Sequence, residues 1–308
     1  MTLTLIIIVF TVALDRLFAD RGAVRLWAWY EEWAQTLEQR FNAGSRAQGV
    51  MALVVAVAPV VFAVFIIRYV LSRVNVSLVY VFDILVLYLC LDLYRLARAA
   101  SAVSESLESG DVAAAASYLE ALTLKPLADA TEPAIAQATV EAVLKQGNAA
   151  VMAPLFWFIL LGPVAAVLQR LAAVLDRLWG HRSAQYAEFG WAAARLDDVL
   201  GWVPARITAL SYGIMGSFED ALHCWRRQAG MWSDINSGPL LASGFGAMHI
   251  SQCAEPEDED VPDAHGAQAM LVNAADIRRV VALLWRVLLF WLAVAVLMAG
   301  ARLFGVFG

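Results

Sequence analysis

The stretch that decides the fold is residues 181–216, which read HRSAQYAEFGWAAARLDDVLGWVPARITALSYGIMG. Four of its polar and aromatic side chains recur at intervals of four, three and four residues, along one helical stripe: Trp191, Arg195, Asp198 and Trp202. Arg195 and Asp198 stand three positions apart, which is close enough for a direct ion pair. Pro204 lacks an amide hydrogen and crowds the preceding turn, so we expect the helix to break or kink there.

This polar stretch stands in a chain that is otherwise strongly apolar, which makes it the first candidate for a functional site. Charged groups in or beside a bilayer are energetically costly, and they usually have a role. Two interpretations are equally open: a buried ion-pair network that locks helices together, and a binding site for a ligand or substrate. Arg206 follows the proline and opens a second apolar segment, so we expect it to join the cluster of Arg195 and Asp198.

The composition of the whole chain predicts an all-α polytopic membrane bundle. The 308 residues are 61% hydrophobic and only 16% charged, and the mean hydropathy is +0.65. The net charge of −6 gives no electrostatic basis for binding nucleic acid. The cysteines and histidines are scattered without metal-ligand spacing, so no metal site is predicted.

Apolar segments of nearly twenty residues predict the membrane-spanning helices. We expect five of them, with residues 199–216 as a partial or re-entrant sixth; the five are residues 1–18, 50–67, 76–94, 149–168 and 280–301. Residues 25–41 alternate apolar and charged side chains at helical spacing and carry tryptophans, which favours an amphipathic helix at the membrane interface. Pro154 and Pro163 should bend the fourth span.

Two charged side chains lie inside predicted spans and need partners. Asp83 stands in the middle of the third apolar segment, where an isolated aspartate costs roughly 2.5–3.5 kcal/mol on insertion scales. Arg286 stands in the last segment and should meet an acid from another helix. Asp83 is one possible partner for Arg286.

These segments divide the chain into five regions. Residues 99–148 form an extramembrane helical segment, with Asp111 predicted as a helix N-cap and Pro133 in the first turn of a later helix. The Gly- and Ser-rich residues 237–246 predict a loop. The other regions are N-terminal membrane helices (1–98), a core with the kinked motif helix (149–250), an acidic linker (251–277) and a C-terminal membrane helix (278–308).

Two blocks resemble the CobD/CbiB family of membrane proteins, which is related to adenosylcobinamide-phosphate synthase. The more specific block is residues 189–210, FGWAAARLDDVLGWVPARITAL, and the other is residues 138–163, ATVEAVLKQGNAAVMAPLFWFILLGP. The short length, the terminal apolar helix and the blocks LDRLF (14–18) and GSFEDALHCWR (216–226) are similar to the divergent AmpE-type branch. The resemblance implies a bacterial inner-membrane protein that crosses the bilayer several times.

The chain departs from the motifs of the family's synthases at acidic positions. Their D-x-x-x-G-D-P and H-P-V near the start correspond here to LDRLFADRGAVRLW. Their E-S-x-A-E-N-T-x-D-G-V becomes EAVLKQGNAAV, in which Glu141 is kept while Lys145, Gln146 and Ala149 replace a glutamate, an asparagine and an aspartate. Their N-P-S-P-N-A-G-W-P-E becomes SDINSGPLLASGFG, which keeps Asn236 and small residues.

This chain resembles the family but lacks several acids of the synthase motifs. The resemblance therefore implies a binding protein, similar to AmpE, that is linked to cell-wall recycling and β-lactamase induction. Two arginines beside acids and tryptophans suit an anionic, partly apolar small molecule. The predicted ligand-binding residues are Arg195, Asp197, Asp198, Arg206, Glu141, Trp202 and Asn236, with no catalytic residue assigned. The lipid bilayer is the other expected partner, and the sequence indicates no protein partner.

The alternative is a working amide ligase of cobalamin biosynthesis, and only this alternative implies Mg-ATP. Magnesium and phosphate would then be held by Glu141, Asp197 and Asp198, while Arg195 and Arg206 neutralise charge. A purely structural membrane scaffold is a third possibility. Because Lys145 places a cation where the family has an acid, we expect the gene not to restore cobalamin-dependent growth to a cell that lacks its own synthase.

Overall fold

The structure is a computed structural model that describes residues 2–18, 23–124, 131–180, 186–250 and 272–303. These residues fold into helices and connecting turns, without a β-strand among them, which confirms the predicted all-α class. The helices are α1 (Thr2–Phe18), α2 (Ala23–Phe41), α3 (Arg46–Val74), α4 (Val76–Cys90), α5 (Leu93–Glu108), α6 (Val112–Thr123), α7 (Glu132–Gly147), α8 (Ala153–Leu161), α9 (Pro163–Trp179), α10 (Trp191–Met215), α11 (Phe218–Gln228), α12 (Ser237–Ala247) and α13 (Ala274–Leu303). Most of the predicted acidic linker lies outside the described residues.

Four helical segments in the described part of the chain are long and apolar enough to cross a membrane. They are Arg46–Val74, Val76–Glu108, Glu132–Leu161 and Ala274–Leu297. The predicted polytopic membrane bundle is therefore confirmed. Helix α1 is an apolar helix of 17 residues, and its crossing of the membrane stays a prediction.

The fourth span differs from the prediction of 149–168 at both ends. It begins at Glu132 and reaches α8 through a π-helical turn at Asn148–Met152. It ends at Leu161 because Gly162 takes φ +82°, a backbone conformation that favours glycine. Pro163 does not bend this span but begins α9, where the missing amide hydrogen leaves no helical bond unmade.

The described chain divides into two compact units. The first unit is Met1–Tyr94, Ala149–Pro204 and Val294–Gly308, and the second is Arg95–Asn148 and Ala205–Ala293. In the first unit, α1 packs against α4, while α3 contacts both α4 and α9. In the second unit, α12 packs against α7 and α11, and α6 packs against α7.

Asp83 of the first unit has a different partner from the one predicted. Both of its carboxylate oxygens accept hydrogen bonds from Arg68, at 2.9 and 3.1 Å. The tight connection at Asn75 makes α3 and α4 antiparallel neighbours, which brings these two positions level. Asp83 is therefore compensated within its own helical hairpin, and the proposed pairing with Arg286 is wrong.

The predicted Gly/Ser-rich loop in the second unit is instead a buried helix, α12. A Cβ added at Gly244 would lie 2.5 Å from Leu144 Cδ2, and one added at Gly246 would lie 2.5 Å from the carbonyl oxygen of Asp220. The glycines therefore allow α7 and α11 to approach α12 closely. The composition of residues 237–246 is typical of a loop, but their glycines serve helix packing.

Helix α10 continues through Pro204, so the helix does not break there, while the alternative of a kink stays a prediction. Pro204 has no amide hydrogen to donate to the carbonyl of Leu200, which is four residues earlier. The Nε1–H of Trp157 on α8 donates to that carbonyl at 2.9 Å. A side chain from a neighbouring helix thus replaces the missing helical bond, and α10 runs on to Met215.

A double-mutant cycle should detect this replacement. We expect Trp157→Phe to cost about 1 kcal/mol more in the native chain than in a Pro204→Ala background, where the alanine amide donates to Leu200. The loss of indole packing is common to both backgrounds and cancels. The free energy of unfolding in mixed micelles provides the measurement, and equal losses in both backgrounds would show that the indole contributes packing alone.

Candidate functional site

Arg195 and Asp198 pair directly on α10, as their spacing predicts. Arg195 Nη1 donates to Asp198 Oδ2 at 3.4 Å, and the side chains are 64% and 31% exposed. Both residues belong to one helix, so the pair does not lock helices together, and exposed pairs of this kind contribute about 0–1 kcal/mol. The Arg195 guanidinium is exposed and Asp198 is half-buried, on the same helix as the exposed rings of Trp191 and Trp202.

An ion pair, a cation–ring contact and a close backbone approach join α3 to the start of α10. Arg46 forms an exposed ion pair with Glu188 and lies 5.4 Å from the centre of the Trp191 ring. A Cβ added at Gly49 would lie 2.0 Å from the carbonyl oxygen of Phe189, so the two backbones are in contact. These contacts fix the position from which the α10 side chains project.

Arg206 lies in a second polar cluster, in the second unit. Its Nη1 donates to Oδ1 of the buried Asn236 at 2.9 Å, and its Nη2 donates to the carbonyl of Ile235 at 3.2 Å. Asp234 accepts hydrogen bonds from the Asn236 amide at 2.9 Å and from the Ser237 hydroxyl. We name these residues, Arg206, Asp234, Asn236 and Ser237, the Arg206 cluster.

The Arg206 guanidinium keeps its charge in this setting. Burial lowers the pKa of Arg206, and the negative charge of Asp234 opposes that change. Arginine side chains stay protonated in proteins near neutral pH, so the group keeps its charge. The cluster therefore presents a partly buried, permanent cation at the N-terminal end of α12.

Glu141 makes its contacts along its own helix. Its carboxylate oxygens lie 3.7 Å from Lys145 Nζ and 3.2 Å from Gln137 Nε2, and both partners lie on α7. The lysine that stands where the family has a glutamate thus pairs with the acid that was kept. This pairing reduces the negative charge that Glu141 could offer to a cation.

The seven predicted site residues divide between the two units. Arg195, Asp197, Asp198 and Trp202 belong to the first, whereas Glu141, Arg206 and Asn236 belong to the second. Within the units, the structure brings together Arg195 with Asp198 and Arg206 with Asn236. A single site that contains all seven residues stays a prediction.

A buried ion pair in the first unit was not predicted. Arg170 Nη2 lies 3.5 Å from Asp92 Oδ2, with side chains only 7% and 18% exposed. The Arg170 guanidinium also lies 5.3 Å from the centre of the Trp27 ring. In the sequence, the only hint of this pair is Gln169-Arg170 within the otherwise apolar first half of α9. The sequence does not show which face of that helix is buried.

Residues 149–152 of the π-helical turn also belong to the first unit. Such turns leave carbonyl groups outside the regular helical bonds and often occur at functional sites. Here the carbonyl of Ala149 accepts from Gln169 Nε2 at 3.3 Å, and the carbonyl of Ala150 accepts from the Asp92 amide at 3.1 Å. The buried Asp15 carboxylate accepts from the Tyr94 amide at 3.0 Å, at the start of α5.

Comparison with known proteins places these elements in a family. The family described as "CobD/Cbib protein" matches residues 8–284. No solved structure matches the chain significantly.

Several curated relatives named "Cobalamin biosynthesis protein CobD" are similar to this chain. The one from Stutzerimonas stutzeri is 39% identical over 221 residues, which is 70% of this chain and 71% of the relative. The one from Chromobacterium violaceum is 39% identical over 206 residues, 67% of this chain and 64% of the relative. The one from Pelobacter propionicus is 31% identical over 57% of this chain and 54% of the relative. The family match over most of the chain, together with these identities, establishes that the chain belongs to the CobD/CbiB family.

Proposed function

We propose that this protein acts in cobalamin biosynthesis as an inner-membrane synthase that joins an amino alcohol to a corrinoid carboxylate with ATP. Relatives at 39% identity carry the name of that pathway. Their names favour a role in cobalamin biosynthesis over the AmpE-like regulator that the altered acidic motifs imply. The amide ligase, which was the alternative from the sequence, is therefore the first candidate function, and the AmpE-like binding protein is the second.

The observation that carries the proposal is the contact between Arg206 and Asn236. Arg206 comes from the block FGWAAARLDDVLGWVPARITAL, and Asn236 comes from SDINSGPLLASGFG, where it is the residue that this chain keeps from the family motif. The two positions are 30 residues apart and meet at 2.9 Å. A hydrogen bond that joins the two blocks supports a site that is assembled as in the family.

The Arg206 cluster suits a phosphate group of the substrate. A guanidinium offers several N–H donors in one plane, which match phosphate oxygens better than a single ammonium does. Asn236 holds this guanidinium from one side, so the group is oriented before a ligand arrives. The neighbouring Asp234 limits the net positive charge and favours a phosphate that is itself partly neutralised.

ATP would enter this reaction as a substrate together with magnesium. The described residues contain no group of three or more side chains that could hold a metal by themselves. Magnesium bound to a nucleotide usually takes one or two protein carboxylates, and water and phosphate supply its other ligands. The half-exposed Asp197 and Asp198 on α10 offer that number.

One observation favours the second candidate, a binding protein without ligase activity. Glu141 is paired with Lys145 instead of standing beside a second acid. A cation at that position disfavours a metal ion by Coulomb repulsion. If the activity depends on this acidic motif, the protein would bind an anionic small molecule and not ligate it.

Genetic complementation tests the proposal. We expect the gene to restore cobalamin-dependent growth to a bacterium that lacks its own adenosylcobinamide-phosphate synthase. The Arg206→Ala variant should lose the rescue at least about 100-fold, because removing a charged donor from a phosphate costs about 1.5–3 kcal/mol in binding and more in the transition state. The matched control is Arg226→Ala, an exposed arginine of α11 outside the Arg206 cluster.

The level of protein in the membrane must be measured in parallel. Absence of rescue by the native gene, with the protein present at normal amounts, would contradict the synthase and favour the binding protein. Rescue by the native gene and equal rescue by Arg206→Ala would keep the synthase but remove the Arg206 cluster from its site.

A further inference from the structure

A cavity of about 410 Å³ in the second unit has no role in the proposed synthase site. It opens where α10 and α12 end, next to α13. Its wall includes the side chains of Met215, Met248, His249, Arg279, Ala282 and Arg286. Arg206 stands nine residues before the end of α10 and Asn236 precedes the start of α12, so both lie on the order of 15 Å from the cavity at 1.5 Å per residue.

The cavity contains one cation without an acidic partner. Arg279 donates to Asp276 at 2.8 Å and also to the carbonyl of Met248. His249 Nδ1 lies 3.0 Å from Asp220 Oδ2. Arg286, by contrast, makes no ion pair with any residue that the structure describes, and its hydrogen bond to the carbonyl of Ala282 on its own helix is long, at 3.4 Å.

The position of Arg286 along α13 points to the membrane surface. The helix belongs to a candidate span, and Arg286 is the last charged residue before fifteen uncharged ones, at positions 287–301. An arginine at the start of such an apolar run extends its charged end toward the headgroup layer. Because Arg286 is the thirteenth of the 24 residues of that span, its guanidinium reaches phospholipid phosphates only through such an extension of the side chain.

The helix ends at the cavity do not oppose an anion. The C-terminal ends of α10 and α12 bring partial negative charge, about half an elementary charge each. However, Arg279 is bonded to the Met248 carbonyl, and the Ala247 carbonyl accepts from the Ser217 amide at 3.0 Å. Two carbonyl groups at the end of α12 are thus occupied, and Arg286 adds a positive charge at the same cavity.

The wall of the cavity is built for a ligand that is both polar and apolar. Met215, Met248 and Ala282 supply an apolar surface, while Arg279 and Arg286 supply donors. His249 also has φ +55°, a conformation that is uncommon outside glycine and is found more often at functional sites. This conformation turns the chain at the cavity mouth.

We propose that this cavity binds the phosphate group of an anionic phospholipid. Arg286 would pair with the phosphate, and Arg279 would donate a hydrogen bond to the headgroup. Basic pockets beside membrane helices bind anionic headgroups in this way. The inference does not depend on the synthase activity. A soluble phosphate ester would offer the same chemistry, and the experiment separates these two sources.

The test uses the full chain, delipidated in neutral detergent. Phosphatidylglycerol should raise the midpoint of thermal unfolding by about 3 °C, because a ligand that binds the folded state stabilises it. Phosphatidylcholine and inorganic phosphate at the same concentration should leave the midpoint unchanged. Arg286→Gln should abolish the increase, whereas the control Arg226→Gln, an exposed arginine of the same unit, should keep it.

Two results would overturn the proposal. The first is an equal increase with phosphatidylglycerol and phosphatidylcholine, and the second is an increase that Arg286→Gln retains. An increase with inorganic phosphate alone would assign the cavity to a soluble phosphate ester and reject the lipid. Since Arg286→Gln could disturb α13 itself, native mass spectrometry of the unaltered protein gives a second measurement, in which phosphatidylglycerol should stay bound at least fivefold more often than phosphatidylcholine.

Discussion

Replacing Asp92 with alanine is expected to remove most of the folded protein from the membrane. The change deletes the carboxylate that faces Arg170 in the first unit, where the arginine side chain is only 7% exposed. Breaking a buried pair by removing one partner costs about 3–5 kcal/mol, because the remaining buried charge loses a compensating group. That loss is a large part of the roughly 5–15 kcal/mol that stabilises a typical folded protein.

The surroundings of Arg170 explain why relaxation would not recover this energy. The guanidinium lies over the Trp27 ring, which attracts the cation but does not neutralise it. Asp92 also donates its amide to the carbonyl of Ala150 at the π-helical turn, so the backbone position is fixed on both sides. Because the Arg170 side chain is only 7% exposed, water cannot simply replace the lost carboxylate.

The matched control is Glu188→Ala, which breaks the ion pair with Arg46. Those side chains are 57% and 52% exposed, so the pair is worth about 0–1 kcal/mol. The measurements are the yield of protein in the membrane fraction and the midpoint of thermal unfolding in detergent. Equal effects from Asp92→Ala and Glu188→Ala would show that the Arg170–Asp92 pair contributes no more than a surface contact.

The sequence predicted the features that depend on neighbours along the chain. Asp111 caps α6 by accepting from the Ala114 amide at 2.9 Å, and Pro133 stands in the first turn of α7. The Arg195–Asp198 pair follows in the same way from a spacing of three residues on one helix. In each case the interacting groups lie within one helical turn, so helical periodicity is enough to predict the contact.

The sequence did not predict the features that depend on which helices meet. Composition alone assigned residues 237–246 to a loop, because the same glycines serve turns and close helix packing equally well. Asp83 clearly needed a partner, but its pairing with Arg68 and not with the expected Arg286 depended on the α3–α4 hairpin. Likewise, Arg206 and Asn236 were both candidate site residues, whereas their contact across 30 positions required the fold.

Replacing Gly190 with alanine is expected to have the second large effect on stability. Gly190 is the central residue of the FGW triplet with which the motif block begins. A Cβ built at Gly190 would lie 1.8 Å from the carbonyl oxygen of Trp179 and 3.1 Å from that of Tyr186. The nearest obstacle is a backbone atom, so a change of rotamer cannot relieve the clash, and the chain on one side must move.

That movement would disturb the contacts that anchor α10. Phe189 packs its ring on the buried Trp179, with ring centres 5.3 Å apart, and its carbonyl touches α3 at Gly49. Trp191 lies under the Arg46 guanidinium on the other side of the glycine. A shift of 1–2 Å at Gly190 would open this contact, and overpacking without relaxation costs about 3 kcal/mol or more.

Gly230→Ala provides the control for Gly190→Ala, because nothing lies within 4 Å of the Cβ that it would add and its backbone conformation suits alanine. We expect Gly230→Ala to unfold within about 1 °C of the native protein, and Gly190→Ala to unfold at least about 8 °C lower.

The same Gly190→Ala variant should lose rescue of cobalamin-dependent growth, since Asp197 and Asp198 project from the helix that it displaces. Normal stability with lost rescue would place the effect in the site itself. Normal stability with normal rescue would mean that α10 tolerates a shift at its first turn, and the close approach of Gly190 to Trp179 would then not be what positions the motif helix.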